Sequence, residues 1–186
     1  SSWAVQRSSV MAPAASFTIS SSLMMQAYFR RTSPPGLRRK YFGGGTSANT
    51  VRIASHIQEI GVTPLAHLTC LSSTKLEVRA IIDELKIRGI ENVLALRGDR
   101  PKDSSIATPG DYAHADDLVR DIKAAGDFCV GGACYPEGHP ESGNKDRDLD
   151  NLKAKVDAGI SFLTTQMFFD NNMLYSFLYR AQAKGI

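Results

Sequence analysis

Strand-length apolar runs alternate with helical segments along most of this chain, and a polar cluster follows each run. The runs lie near residues 64–70, 92–96, 128–135 and 162–169. Such alternation is typical of βαβ units, in which right-handed crossovers bring the C-termini of all strands to one end of a parallel sheet. The pattern therefore predicts an α/β fold of about four βα units, an incomplete (β/α)8 or TIM barrel. Active sites of such barrels lie at the C-terminal ends of the strands.

The helical segments between the runs are defined by apolar spacing and by residues typical of helix ends. Thr74 and Glu77 have the spacing of a capping box, and Gly89 follows the apolar stripe that they open. The same spacing predicts four more helices, each followed by a glycine, over residues 50–60, 115–125, 149–158 and 173–184.

Charge is distributed unevenly along the chain. Residues 1–58 contain seven Lys and Arg residues but no Asp or Glu, so this segment carries a charge of +7. The rest of the chain carries −4, although the net charge of the whole chain is +3. Nucleic-acid binding requires a basic domain surface, which the predicted domain lacks. We therefore expect no nucleic-acid partner.

Residues 1–40 show no sustained periodicity, and we predict a disordered basic leader that precedes a domain over residues 41–186. A basic, acid-free start is typical of an organelle transit peptide; the alternative is a leader without a function of its own. Ile186 directly follows Gly185, where the next strand is expected. This position predicts that the domain is truncated at its C-terminus.

Cys70, Cys129 and Cys134 do not have the spacing of metal ligands or of a disulfide framework. We therefore expect no metal and a reducing, cytoplasmic location. No stretch reaches the roughly 18 apolar residues of a membrane helix, so we also expect no membrane partner.

Two of the polar clusters carry the most chemistry. Arg97-Gly98-Asp99 places a cation, a residue without a side chain and an anion at one strand end, where Gly98 would allow close approach of a flat ligand. An ion pair that braces the strand end is the alternative. The stretch 135–140, Tyr-Pro-Glu-Gly-His-Pro, is a stiff loop suited to stacking on a planar ligand.

The helix after this loop carries polar residues with helical spacing. Asp148, Asn151 and Lys155 fall at i, i+3 and i+7, so they share one face. Either this face contacts the ligand of the preceding loop, or it is an ordinary solvated helix face.

Taken together, five motifs resemble the methylenetetrahydrofolate reductase family, in order and with its spacing, over about residues 41–186. They are His67-Leu68-Thr69-Cys70, Leu96-Arg97-Gly98-Asp99, residues 135–140, residues 151–159, and residues 165–170, which read Thr-Gln-Met-Phe-Phe-Asp. The resemblance implies an FAD-dependent oxidoreductase on a (β/α) barrel. Its members reduce 5,10-methylenetetrahydrofolate to 5-methyltetrahydrofolate with NAD(P)H, in one-carbon and methionine metabolism, and we expect a homo-oligomer at full length.

The resemblance also implies roles for individual residues. Asp99 and Gln166 would bind the substrates, and the charge of Asp99 would stabilise the cationic iminium form of the folate. Residues similar to FAD contacts of the family are His67, Arg97, Gly98, Asp99, Ala113, Tyr135, His139, Asp148, Asn151 and Lys155.

The chain departs from the family pattern in several places. The first strand of the family carries a general-acid Glu, whereas residues 1–40 contain no Glu, so no residue can be assigned as the acid. The stretch 41–47 is a degraded version of a glycine-rich turn, and Ala154 stands where a basic residue is frequent. The alternatives are therefore an inactive remnant or a flavin-binding module and, from another family, a proline dehydrogenase-like barrel.

Overall fold

The computed structural model describes residues 16–18, 47–71, 73–98 and 110–186, and these contain five strands and five helices. In chain order the elements are β1 (Ser16–Thr18), α1 (Ser47–Glu59), β2 (Ala66–Thr69), α2 (Lys75–Ile87), β3 (Asn92–Leu96), α3 (Ala115–Ala125), β4 (Cys129–Cys134), α4 (Lys145–Asp157), β5 (Phe162–Thr165) and α5 (Asn171–Ala183). The four predicted strands and five predicted helices are therefore confirmed.

All strands belong to one parallel sheet with the order β1-β5-β4-β3-β2. From β2 to β5 each strand lies beside the next one along the chain, and a helix connects each pair. Their C-terminal ends consequently lie at the same end of the sheet. This is the predicted α/β architecture, consistent with part of a (β/α) barrel.

The strand β1 is an addition to the predicted fold. The sequence predicts no element within residues 1–40, yet the backbone of Ser16–Thr18 pairs in parallel with Phe162–Thr164, at the sheet edge opposite β2. This pairing satisfies backbone groups of β5 that an open edge would expose. The rest of residues 1–40 lies outside the described residues, and so does the stretch 41–46.

Polar caps explain where the helices begin. In α2 the predicted capping box is confirmed: Glu77 N donates to Thr74 Oγ1 over 3.2 Å, and Thr74 N donates to Glu77 Oε2 over 2.8 Å. Helix α4 begins four residues before the predicted start because Arg147 N donates to Asn144 Oδ1 over 2.8 Å. The first turn of α4 is polar, so it has no apolar periodicity from which the start of the helix could be predicted.

The strand β5 is shorter than predicted. It ends at Thr165, and Asp170 already caps α5, with Asn172 N donating to its carboxylate over 2.8 Å. The apolar residues between them, which extended the predicted strand to residue 169, instead form a connection at the end of the sheet.

The core lies between one face of the sheet and the helices. Val93, Val130 and Leu163 are fully buried there. Two glycines of β4 make room for side chains around β5: a Cβ atom at Gly131 would lie 2.3 Å from the Phe162 ring, and one at Gly132 would lie 2.3 Å from Ile160 Cδ1. The helices contribute the fully buried side chains of Val78, Leu85, Leu118, Val119 and Ile122.

Candidate functional site

The ends of neighbouring strands are joined by backbone hydrogen bonds that continue beyond the sheet. Cys70 N and Leu71 N both donate to Arg97 O, over 3.3 and 2.8 Å, which ties the end of β2 to that of β3. Gln166 N donates to Cys134 O over 2.7 Å, which does the same for β5 and β4. The predicted convergence of polar clusters at one end of the sheet is therefore present in the fold.

Arg97 forms an ion pair across the end of the sheet. Its Nη2 lies 2.6 Å from Glu141 Oε2, although the two residues are 44 positions apart. Asp99, the predicted substrate and FAD contact next to it, lies outside the described residues. The alternative of a structural ion pair with Asp99 therefore stays a prediction, whereas the structure pairs Arg97 with Glu141.

Gly98 adopts a backbone conformation that favours glycine. Its φ is +91°, and a Cβ atom there would lie 3.3 Å from Thr69 Cβ on the neighbouring strand. A side chain would therefore be strained and crowded. The absence of a side chain therefore lets the ends of β2 and β3 pack closely, and close approach of a ligand at Gly98 stays a prediction.

The loop over residues 135–140 is folded around an aromatic contact. The rings of Tyr135 and His139 meet edge to face, with centroids 4.5 Å apart and an angle of 69°. His139 N donates to Asp148 Oδ2 over 3.1 Å, and Glu141 N donates to His139 Nδ1 over 3.1 Å. The structure thus brings together three predicted site residues, Tyr135, His139 and Asp148, and adds Glu141.

Lys155 ties α4 to the end of β4. Its Nζ donates to Ala133 O over 2.8 Å, and burial lowers the pKa of the ammonium while Asp148 opposes the shift. Burial also raises the pKa of the neighbouring Cys134 thiol to about 12. Asn151, on the same helix, is exposed. The predicted polar face of α4 is therefore only partly solvated, because Asp148 and Lys155 make contacts within the fold.

The other predicted site residues differ in their exposure to solvent. His67 is half-buried on β2, where it aligns with Leu94 of β3, and burial lowers the pKa of its imidazole. Ala113 is exposed just before α3, and the side chain of Gln166 is exposed just after β5.

Two acidic residues of the site, Glu137 and Glu141, were not among the predicted site residues. Glu137 Oε1 accepts a hydrogen bond from Phe169 N over 3.3 Å and so joins the β4–α4 and β5–α5 connections. The other is Glu141. Both lie in or beside the recognised loop motif, but no local spacing distinguishes their partners.

A groove of about 540 Å³ lies elsewhere, between α1 and α2. Its walls include Val51, Ser55, His56, Ile81 and Arg88. None of the predicted site residues lines it.

In the parts of the chain that the structure describes, no group of three or more His, Cys, Asp and Glu residues is arranged to hold a metal ion. Over the same ranges, every helix is too short or too polar to cross a bilayer.

A family model described as methylenetetrahydrofolate reductase matches residues 35–186. Methylenetetrahydrofolate reductase 2 of Saccharomyces cerevisiae is 40% identical over 155 residues, and the match covers 77% of this chain and 25% of the relative. The 5,10-methylenetetrahydrofolate reductase of Escherichia coli is 40% identical over 147 residues, with coverage of 77% and 48%. The chain therefore spans less than half the length of these curated relatives.

Solved structures support the fold. A crystal structure of 2,3-dimethylmalate lyase, described as a member of the PEP mutase/isocitrate lyase superfamily, superposes with a TM-score of 0.58 at 14% identity. The match covers 89% of this chain and 62% of that one. At this identity the likeness concerns the α/β fold alone.

Proposed function

The chain belongs to the methylenetetrahydrofolate reductase family, and we propose that its activity is the reduction of 5,10-methylenetetrahydrofolate to 5-methyltetrahydrofolate with NAD(P)H. The metabolic context is one-carbon and methionine metabolism. One observation carries the proposal: in a chain 40% identical to enzymes of this name, four of the five family motifs lie at or directly after the C-terminal ends of neighbouring strands, and Lys155 of the fifth donates to Ala133 O near the end of β4. A complete (β/α)8 barrel, a homo-oligomer and a cytoplasmic location are parts of the proposal that rest on the family alone.

The residues present fit FAD as the cofactor. Gly98 places a backbone without a side chain at the end of β3. Arg97 is a hydrogen-bond donor at the strand end, and Lys155 is a cation at the end of β4. An oxygen-rich dinucleotide requires open backbone, donors and positive charge. When bound, FAD supplies hydride transfer, and the protein supplies position and electrostatics.

The proposed roles follow from where each residue lies. Tyr135 and His139 present one packed pair of rings to the ligand, and Asp148 holds the His139 backbone. Lys155 balances phosphate charge. Gln166, exposed beyond β5, contacts folate and nicotinamide in turn. Asp99 contacts FAD and the folate. The remaining proposed FAD contacts are His67, Ala113 and Asn151.

A flavin-binding module without reductase activity is the second candidate. One observation favours it: residues 1–40 contain no Glu to act as general acid. General acid catalysis typically contributes about 10²–10⁴-fold to a rate. A site that binds FAD without this acid would reduce folate very slowly.

One preparation of the 186-residue chain distinguishes the candidates. Bound flavin is measured by its visible absorbance after gel filtration, and turnover by NAD(P)H-dependent formation of 5-methyltetrahydrofolate. Flavin with turnover supports the reductase, and flavin without turnover supports the module. Folded protein that binds no FAD would contradict the proposed cofactor site. Gly98→Val provides a matched control, since a β-branched side chain at this φ should abolish specific flavin binding.

A further inference from the structure

We propose that Glu141 is a positioning residue that holds Arg97 and His139 as one unit at the edge of the cofactor site. The ligand in this inference, FAD, rests on the proposed function, whereas the contacts of Glu141 do not depend on it. The Glu141 carboxylate accepts from Arg97 Nη2 over 2.6 Å, while its backbone N–H donates to His139 Nδ1 over 3.1 Å. A single residue therefore contacts two predicted FAD contacts from different βα units.

The ion pair is too exposed to act mainly as a stabilising contact. The Arg97 side chain is 23% exposed and that of Glu141 is 45% exposed. Pairs this open to water typically add little to stability because solvent screens them and both side chains lose rotamer freedom. The same loss of freedom is useful in a binding site: an arginine already held in place loses less entropy when a ligand binds.

The backbone contact has a second consequence, for the proton of His139. A neutral imidazole has one protonated nitrogen, and Nδ1 accepts the Glu141 N–H, so the proton resides on Nε2. His139 thus offers an Nε2–H donor. The proposed unit presents donors from both side chains, which suits the carbonyl and phosphate oxygens of a dinucleotide.

Glu141→Gln tests the side-chain part of the unit. It removes the charge but keeps the length and the backbone N–H. We expect FAD affinity, measured by flavin fluorescence quenching, to fall roughly three- to tenfold, and Glu141→Asp to give a smaller loss. The melting temperature should change little. The matched control is Glu84→Gln, which removes another Glu–Arg pair, that with Arg88 on α2, away from the site, and should leave FAD affinity unchanged.

The tautomer is measured separately, by ¹⁵N NMR of the His139 ring in the unliganded chain. We expect an Nε2–H tautomer in the wild type and in Glu141→Gln. An Nδ1–H ring, or equal FAD affinity in the wild type and Glu141→Gln, would overturn the inference. If the folded wild type binds no FAD, the proposed cofactor site is wrong. In that case two measurements on the unliganded chain test the inference: the ¹⁵N spectrum of the His139 ring and the hydrogen-exchange rate of the Arg97 side-chain N–H. This exchange should be slow in the wild type, and in Glu141→Gln it should rise to the rate of an exposed arginine.

Discussion

Lys155 Nζ donates a hydrogen bond to Ala133 O over 2.8 Å, and this bond fixes helix α4 against the C-terminal end of β4. The same helix supplies Asp148, which accepts from His139 N. Two contacts from one helix therefore set the position of the loop over residues 135–140. This arrangement explains how residues on a helix, and not only on strand ends, become part of the candidate site.

Replacing Lys155 by Met should weaken FAD binding. The variant keeps the chain length but removes the charge and the bond to Ala133 O. A charge-assisted hydrogen bond from this ammonium to a phosphate oxygen of FAD would contribute about 1.5–3 kcal/mol, so we expect a loss of affinity of roughly 10–100-fold by fluorescence titration. Lys153→Met, which removes an exposed partner of Asp157 on the same helix, should leave affinity unchanged. Equal losses in the two variants would argue against a specific role of Lys155.

Acidification should destabilise the fold through His67. Because burial lowers the pKa of this imidazole in the folded state, the unfolded chain binds the proton first. His67 therefore contributes fully to stability above about pH 6.5, which is the pKa of the imidazole in the unfolded chain. This contribution is lost as the pH falls below that value, toward the lower pKa of the folded state. Urea unfolding between about pH 7.5 and 5.5 should show a weaker pH dependence for His67→Asn than for the wild type.

Gly131→Ala should be strongly destabilising. The added methyl group would lie 2.3 Å from the Phe162 ring, between two central strands. Overpacking of this kind typically costs about 1–3 kcal/mol in the free energy of unfolding. Combining it with Phe162→Leu should recover part of the loss in urea melts. Gly143→Ala has no atom within 4 Å of the new methyl group and should change stability little. No recovery in the double variant would mean that the ring is not the obstacle.

Two of the three thiols should be unreactive in the folded chain. Burial raises the pKa of Cys70 to about 11 and that of Cys134 to about 12, so neither forms appreciable thiolate at neutral pH. Cys129, by contrast, is only half-buried. Titration with a disulfide reagent, followed by peptide mass spectrometry, should label Cys129 first. Fast labelling of Cys134 under native conditions would contradict the packing at the end of β4.

The sequence by itself determined the family and the elements from α1 to α5, but not β1. Apolar spacing predicted all five helices of the described residues, and Thr74 and Glu77 predicted the cap of α2, because both signals are local. The order of strands and helices then predicted which end of the sheet would carry the polar clusters. His67, Tyr135, His139 and Gln166 followed from motifs, since each stands in a short stretch of distinctive residues.

Only the tertiary structure decided which residues of different elements contact one another. Arg97 meets Glu141 across 44 residues, and Phe169 N meets Glu137 across 32. Gly131 is required by the ring of Phe162 on the next strand, and β1 adds to the edge of β5 although its own segment has no strand pattern. These contacts depend on strand register and on the path of each connection. Local periodicity indicates which face of a helix or strand a residue occupies. It does not indicate which residue of another element packs against that face, because this depends on how the sheet assembles.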